Sequence, residues 1–268
     1  MPKGWSKGLR SATDARVARA GAAHRGRTYV RRTAIEDGRW HRQAPLVRLD
    51  WTDALAYAVG LIATDGCLVT GRKRIQFGSE DRELVQLLLT CLARPAHIRE
   101  ERTRIGSRYY RTQFGDARFY DWLLSIGLAP RKSLTLKGLA VPEQFTPALV
   151  RGLLDGDGSI GNHRYRADTG GRAGYVWEYF WVSFATSSES HATWLRSRIE
   201  GSFGLHGSIS RAEVLGKAPA FQLRYGKRAS ETLLSALYVG PHAPALARKR
   251  LIWLEYRRRH PTADVMAG

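Results

Sequence analysis

The chain has 268 residues, 43% of them apolar, with 8 Trp and 11 Tyr, enough for a packed core and not the composition of a disordered chain. Lys and Arg outnumber Asp and Glu by 43 to 24, a formal net charge of +19, and an excess of that size attracts polyanions and is a footprint of nucleic-acid binding. Two widely separated cysteines, Cys67 and Cys91, exclude a disulfide framework or zinc knuckle and suit a reducing compartment, while no apolar run suits a signal peptide or a bilayer span.

Residues 1–49 carry twelve Lys and Arg against three acids. Thr13 is a natural cap for a short helix over Ala15–Ala23, with Arg16 and Arg19 on one face. The remainder is too polar to fold alone. It reads as a basic arm that orders on DNA, with a passive charged tail as the other reading.

From residue 50 a repeat organises the chain, in units 50–140 and 141–268. Each copy begins with an apolar helical stretch that ends in Gly–x4–Asp-Gly: Gly60 to Gly66, then Gly152 to Gly158. A strand pair follows, about 67–70 with 73–78, then 159–166 with 175–185. Next comes a helix, capped by Ser79 or by Ser187 and Ser188, with apolar positions Leu84, Leu87 and Leu88, or Trp194, Leu195 and Ile199. Second strand pairs end at Tyr110–Phe114 and Ala220–Tyr225. Closing helices run over 117–126 and 229–238, each followed by a basic pair, Arg131-Lys132 and Arg248-Lys249. The stretch 129–144 is a connector. The pattern predicts an α+β fold of two tandem pseudo-symmetric αββαββα units packed through their first helices, each with a saddle-like antiparallel sheet.

Alternation marks a polar strand face. Arg72, Arg74 and Gln76 alternate with Lys73, Ile75 and Phe77, and Arg111 and Gln113 alternate with Tyr110, Thr112 and Phe114. In the second copy Gln222 and Arg224 alternate with apolar residues, and Asn162, Arg164 and Arg166 share a face. Arg and Gln on a two-stranded ribbon can reach base edges in a major groove. Trp177, Tyr179 and Trp181 fall on the corresponding face of the second copy. Packing against a neighbouring loop is favoured for them over stacking on sugars.

A Gly–x4–Asp-Gly match is expected ~0.1 times in a chain of this composition, and two occur in register. Ala58-Val59-Gly60-Leu61-Ile62-Ala63-Thr64-Asp65-Gly66 and Val150-Arg151-Gly152-Leu153-Leu154-Asp155-Gly156-Asp157-Gly158 resemble the two signature helices of the LAGLIDADG homing endonucleases. Gly127 to Ser133 is also similar to that family, and the resemblance spans about residues 50–260. It implies that the helices pack nearly backbone to backbone through Gly60, Ala63, Gly152 and Gly156. It implies too that the last Asp of each motif, Asp65 and Asp157, binds metal. Two adjacent carboxylates repel unless a cation lies between them, and oxygen ligands select Mg²⁺ or another divalent ion. Each Asp-Gly is expected to end its helix with glycine in the left-handed conformation, although either motif alone would fit an ordinary helix-ending turn.

Asp155, which stands where the first motif has Ala63, is expected to make a cap or helix-end contact and not to ligate metal. Lys132 and Lys249 occupy matching places and are candidates either for catalysis or for DNA-backbone contacts. The stretch Trp5–Leu9 with Thr13–Arg19, including Lys7, Arg16 and Arg19, resembles a small modular DNA-binding segment of phage homing nucleases. The implied protein is a cytoplasmic monomer from a bacterial or phage setting that cuts double-stranded DNA in intron homing or as part of another mobile element. The rival is an inactive DNA- or RNA-binding relative, a maturase-like splicing helper or a regulator. RNA binding has no separate support in the sequence, and neither does a membrane partner.

Overall fold

A computed structural model describes residues 33–34, 40–41, 44–103, 106–166, 174–213, 218–240 and 242–261. The expected helix at 15–23, together with Lys7, Arg16 and Arg19, lies outside them. Two short strands, β1 (Thr33–Ala34) and β2 (Trp40–His41), pair in an antiparallel ribbon. The chain is tied to the core from residue 44 onward. Arg94 donates to the carbonyls of Ala44 (3.0 Å) and Pro45, and the Val47 amide donates to the Asp116 carboxylate at 2.9 Å.

The order that follows is α1 (Asp53–Asp65), β3 (Gly66–Val69), β4 (Arg74–Ser79), α2 (Arg82–Cys91), β5 (Ile98–Arg102), β6 (Arg108–Gly115) and α3 (Ala117–Ser125). After a connector with two short 3-10 turns come α4 (Thr146–Asp155), β7 (Gly158–Arg166), β8 (Val176–Thr186), α5 (Glu189–Phe203), β9 (Ser208–Ala212), β10 (Ala220–Tyr225) and α6 (Lys227–Leu237). The architecture is α+β, with two four-stranded antiparallel sheets ordered β3-β4-β6-β5 and β7-β8-β10-β9. The same order in both sheets is the structural form of the repeat. A further helix, α7 (Ala247–Arg259), follows the second copy and was not anticipated.

Local chemistry sets the helix starts. Thr52, Asp116 and Ser188 accept hydrogen bonds from the amides of Leu55, Phe119 and His191, each satisfying a donor that the first turn leaves free. Ser188 is therefore the cap expected at α5. Ser79 instead accepts from the Asp81 amide one step before α2. The connector is held against α5: Ser188 donates to the Leu136 carbonyl at 2.5 Å, and Arg198 donates to the Val141 carbonyl at 2.5 Å.

Helices α1 and α4 are buried on nearly every side, Leu55 to Ala63 and Ala148 to Asp155 without a break. Such helices must be covered all round; here each faces the other as well as a sheet, and one apolar cluster runs through both halves. Their crossing is at backbone contact. A Cβ on Gly60 would stand 2.5 Å from the Leu149 carbonyl oxygen and 2.9 Å from Gly152 Cα, and one on Gly152 would overlap the Tyr57 carbonyl oxygen. Ala63 is buried beside this crossing, and Gly156 leaves room for Thr64.

The glycines after the motif aspartates depart from expectation. Gly66 has φ −81° and ψ 152°, an extended conformation open to any residue, and Gly158 is likewise absent from the positive-φ positions. Their requirement is space: a Cβ on Gly66 would lie 2.5 Å from the Ile62 carbonyl oxygen, and one on Gly158 would lie 2.7 Å from the Leu154 carbonyl oxygen.

Gly152→Ala should cost about 3 kcal/mol or more, because a clash with backbone has no rotamer to relieve it. Gly201→Ala, in α5 with nothing within 4 Å of the added methyl, should instead stabilise by about 0.5 kcal/mol. Urea unfolding of the two variants checks both. A Gly152→Ala protein as stable as the parent would contradict the crossing.

Candidate active site and nucleic-acid interface

Because α1 and α4 cross at their glycines, their C-terminal ends emerge together, each leading into the first strand of its sheet. The Asp65 carboxylate lies against Gly156, where an added Cβ would stand 3.0 Å from Oδ2. Loss of hydration raises the Asp65 pKa to about 6, and the Asp157 charge adds to the rise. Asp157 is solvent-exposed; crowding by its surroundings raises its pKa, and the Lys132 and Lys249 charges pull it back. Two carboxylates, one at the end of α1 and one in the turn just after α4, thus share one field, an oxygen donor set that fits a divalent cation completing its shell with water and phosphate oxygens. Among the described residues no group of three or more His, Cys, Asp or Glu forms a metal cluster.

Lys132 and Lys249 are both buried, at 7% and 4% exposure, which corrects the reading of either as a contact to the DNA backbone. Lys132 Nζ donates to the carbonyls of Thr64 (3.2 Å) and Gly66 at the end of α1. Lys249 Nζ faces four carbonyls at the end of α4: Leu154 (2.6 Å), Asp155 (2.8 Å), Gly156 (3.2 Å) and Gly158 (2.7 Å). Those of Thr64, Leu154 and Asp155 are carbonyls that a helix terminus leaves without partners, at the negative end of the helix dipole, and those of Gly66 and Gly158 open the strands that follow. Burial lowers both lysine pKa values, that of Lys249 to about 8.

Asp155 serves as a helix-end contact. Its Oδ2 accepts from the Tyr57 hydroxyl and from the Leu246 amide at the start of α7, both at 2.8 Å. Arg151, also buried, donates to the carbonyls of Leu237 at the end of α6 and of Pro244 beyond it, and lies over the Tyr57 ring. Helix α7 is therefore seated on the second motif. It also reaches the first copy, where Arg248 pairs with Asp81 at 2.8 Å.

The face of each sheet away from the helices is open. In the first sheet it carries Arg74, Gln76 opposite Gln113, and Arg111 beside Gly78. Arg111 is paired with Glu101 at 3.3 Å and lies over the Tyr109 ring. Arg72 sits in the exposed turn between β3 and β4. In the second sheet the open face carries Gln222, which donates to Ser183, and Arg224, whose guanidinium lies over the Trp181 ring.

Arg164 and Arg166 belong to the other side, which corrects their place on a shared DNA-facing surface. They alternate in phase with Ile160, whose partner Val182 is in the core, and stand opposite Glu178 and Val176. That parity was available in the sequence through Ile160. Trp177, Tyr179 and Trp181 lie on the open face, with Tyr179 58% exposed, so the expected packing under a loop is not seen among the described residues. No helix of the described residues is long and apolar enough to cross a membrane.

The fold is the two-unit LAGLIDADG architecture. Full-length DUF199/WhiA from Thermatoga maritima is similar with a TM-score of 0.50 at 16% identity, over 80% of this chain and 62% of that one. The present chain thus spans less than two thirds of that relative. I-DmoI, solved in complex with DNA and Ca, has a TM-score of 0.50 at 13% identity, over 76% of this chain and 97% of that one. The LAGLIDADG homing endonuclease I-LtrWI, bound to target DNA, has a TM-score of 0.46 at 10% identity. No family model matches the chain, and no curated protein does.

Removing the buried ammonium of Lys249 strands four carbonyls, so Lys249→Met should lose about 3 kcal/mol of stability and Lys132→Met, with two, somewhat less. Denaturant titration measures both, and no loss in either would mean that the lysines do not hold the helix ends.

Asp65 makes a second expectation. Folded, it keeps its proton up to about pH 6; its ordinary value is 3.8. Between these values the folded state binds more protons than the unfolded one, so stability of the metal-free protein falls as pH rises from about 4 to 6 and then levels. Asp155, also raised to about 6 by burial, acts in the same direction. Asp65→Asn should reduce the slope and be more stable than the parent at pH 7 by about 1–2 kcal/mol. Thermal unfolding across that range tests it, and an unchanged slope would contradict it.

Proposed function

We propose that this protein is a site-specific endonuclease of double-stranded DNA, with a divalent cation, Mg²⁺ or another, held by Asp65 and Asp157. The observation that carries the proposal is that these two carboxylates, one from the end of each motif, feel each other's charge where two helices cross at backbone contact. The same fold occurs in I-DmoI, a homing endonuclease seen with DNA and Ca. When bound, the cation supplies a polarised water and charge for the scissile phosphate and the leaving 3′-oxygen.

The chain's own residues set the geometry. Asp65 and Asp157 hold the cation from the ends of the two motifs. Lys132 and Lys249 act as positioning residues, fixing the helix ends from which those aspartates project. Arg74, Gln76, Arg111 and Gln113 in one half, with Gln222 and Arg224 in the other, meet base edges. The arm, with Lys7, Arg16 and Arg19, contacts phosphates, which raises affinity without reading sequence. Two different halves in one chain suit a monomer on an asymmetric site.

One observation favours a second reading, a DNA-binding protein that does not cut: both lysine ammonium groups at the site are engaged by backbone carbonyls. Incubation with a DNA library and Mg²⁺, followed by sequencing of the ends, separates the two. Asp65→Asn and Asp157→Asn should each abolish double-strand cleavage and leave duplex binding within a few-fold, since the carboxylates serve the chemistry. Cleavage at the parent rate by either variant, or none by the parent at any sequence, would sink the endonuclease.

A further inference from the structure

The two sheets differ most in their first hairpins. Strands β3 and β4 have 4 and 6 residues, whereas β7 and β8 have 9 and 11. The longer hairpin has one covered side and one open side. On the covered side α7 packs against it: Phe180 stacks on Tyr256 with ring centroids 3.7 Å apart, and Glu178 is paired with Arg259 (3.0 Å) and His260 (2.5 Å). The open side is rich in aromatic rings. Gly161 faces Trp181, His163 faces Tyr179, and Tyr165 faces Trp177. Together with Arg224 these aromatic side chains line a shallow groove. Tyr165 and Tyr179 are 57% and 58% exposed.

The track starts beside the candidate site. Ser159, two residues beyond Asp157, is in register with Ser183, which is in turn in register with Arg224. From there successive aromatic pairs recur about every 7 Å along the strands. Gly161 gives the Trp181 ring its place, since a Cβ there would overlap the indole, and Arg224 lies 4.6 Å from that ring on the same face. Among the described residues of the hairpin the one acid, Glu178, points to the covered side and is neutralised there.

An exposed aromatic patch of this kind marks an interaction site. Flat rings held on a rigid backing, with an arginine among them in a chain of net charge +19, fit a ligand that has both negative charge and accessible π faces. A duplex buries its base faces in the stack, so a duplex alone cannot use these rings as platforms. We propose that the open face of the β7–β8 hairpin is a stacking site for the unpaired bases of a single nucleic-acid strand. The proposal rests on the function proposed above only in taking nucleic acid as the ligand, and cleavage plays no part in it.

The test uses the full chain without divalent metal, following tryptophan fluorescence. Oligothymidylate and oligouridylate should quench emission on binding, and the tighter of the two identifies the strand as DNA or RNA. An abasic oligomer with the same number of phosphates should bind about tenfold more weakly or worse, because stacking is lost while charge is kept. The Trp177→Ala/Tyr179→Ala variant should lose about tenfold in single-strand affinity and keep its duplex affinity within a few-fold. Tyr179→Ser, altering one exposed ring, provides the same comparison should the double variant unfold. Equal binding of abasic and normal oligomers, or quenching by duplex alone, would overturn the proposal, and duplex cleavage that persisted would then leave the endonuclease reading standing.

Discussion

Gly60 and Gly152 bring two helix backbones into direct contact, and the rest of the molecule is arranged around that crossing. Close approach of the axes brings the helix ends together, and with them Asp65 and Asp157. It also brings together two negative dipole ends, each equivalent to roughly half an elementary charge. Two carboxylates and two carbonyl termini in one place are self-repelling. The buried ammonium groups of Lys132 and Lys249, bound to carbonyls at the helix ends, offset that repulsion. The electrostatic design of the site thus extends to buried residues outside the motifs.

The halves are alike in topology and different in surface. One sheet presents Arg and Gln side chains at half-exposed positions; the other continues into a long hairpin of rings backed by α7. A repeated fold supplies a common scaffold, while strand length and open-face residues change without disturbing the crossing. The asymmetry reaches the motifs themselves. Asp155 ties the second helix to Tyr57 and Leu246, whereas Ala63 makes no such tie in the first.

Much of this was legible in the sequence, for physical reasons. The spacing of glycine and aspartate reports helix contact and helix end together, so the motifs placed the crossing and the paired carboxylates. Period-two alternation placed β4, β6 and β10, because a half-buried strand must alternate. Arg164 and Arg166 were misplaced because their phase with Ile160 was not carried along the strand. Helix α7 was hidden by charge: its buried positions, Lys249, Trp253 and Tyr256, have helical spacing, but a lysine is one of the three and arginines surround them. That both lysines would meet carbonyls could not be read, since backbone acceptors leave no trace in residue type. The role of Gly66 and Gly158 was misread for a related reason, a glycine being needed for space as often as for a positive φ.

The seating of Lys249 on α4 has a consequence for biosynthesis. The lysine lies 94 residues after Asp155, one of the residues whose carbonyls it meets. At ribosomal rates of about 5–20 residues per second, roughly 5–20 s separate their emergence. During that interval the second motif helix has its aspartates but neither the ammonium at its end carbonyls nor the Leu246 amide on Asp155. The first motif, whose lysine follows Thr64 by 68 residues, is complete before it. A nascent chain therefore matures its two half-sites in sequence, and the pair becomes whole only when α7 has left the ribosome and docked.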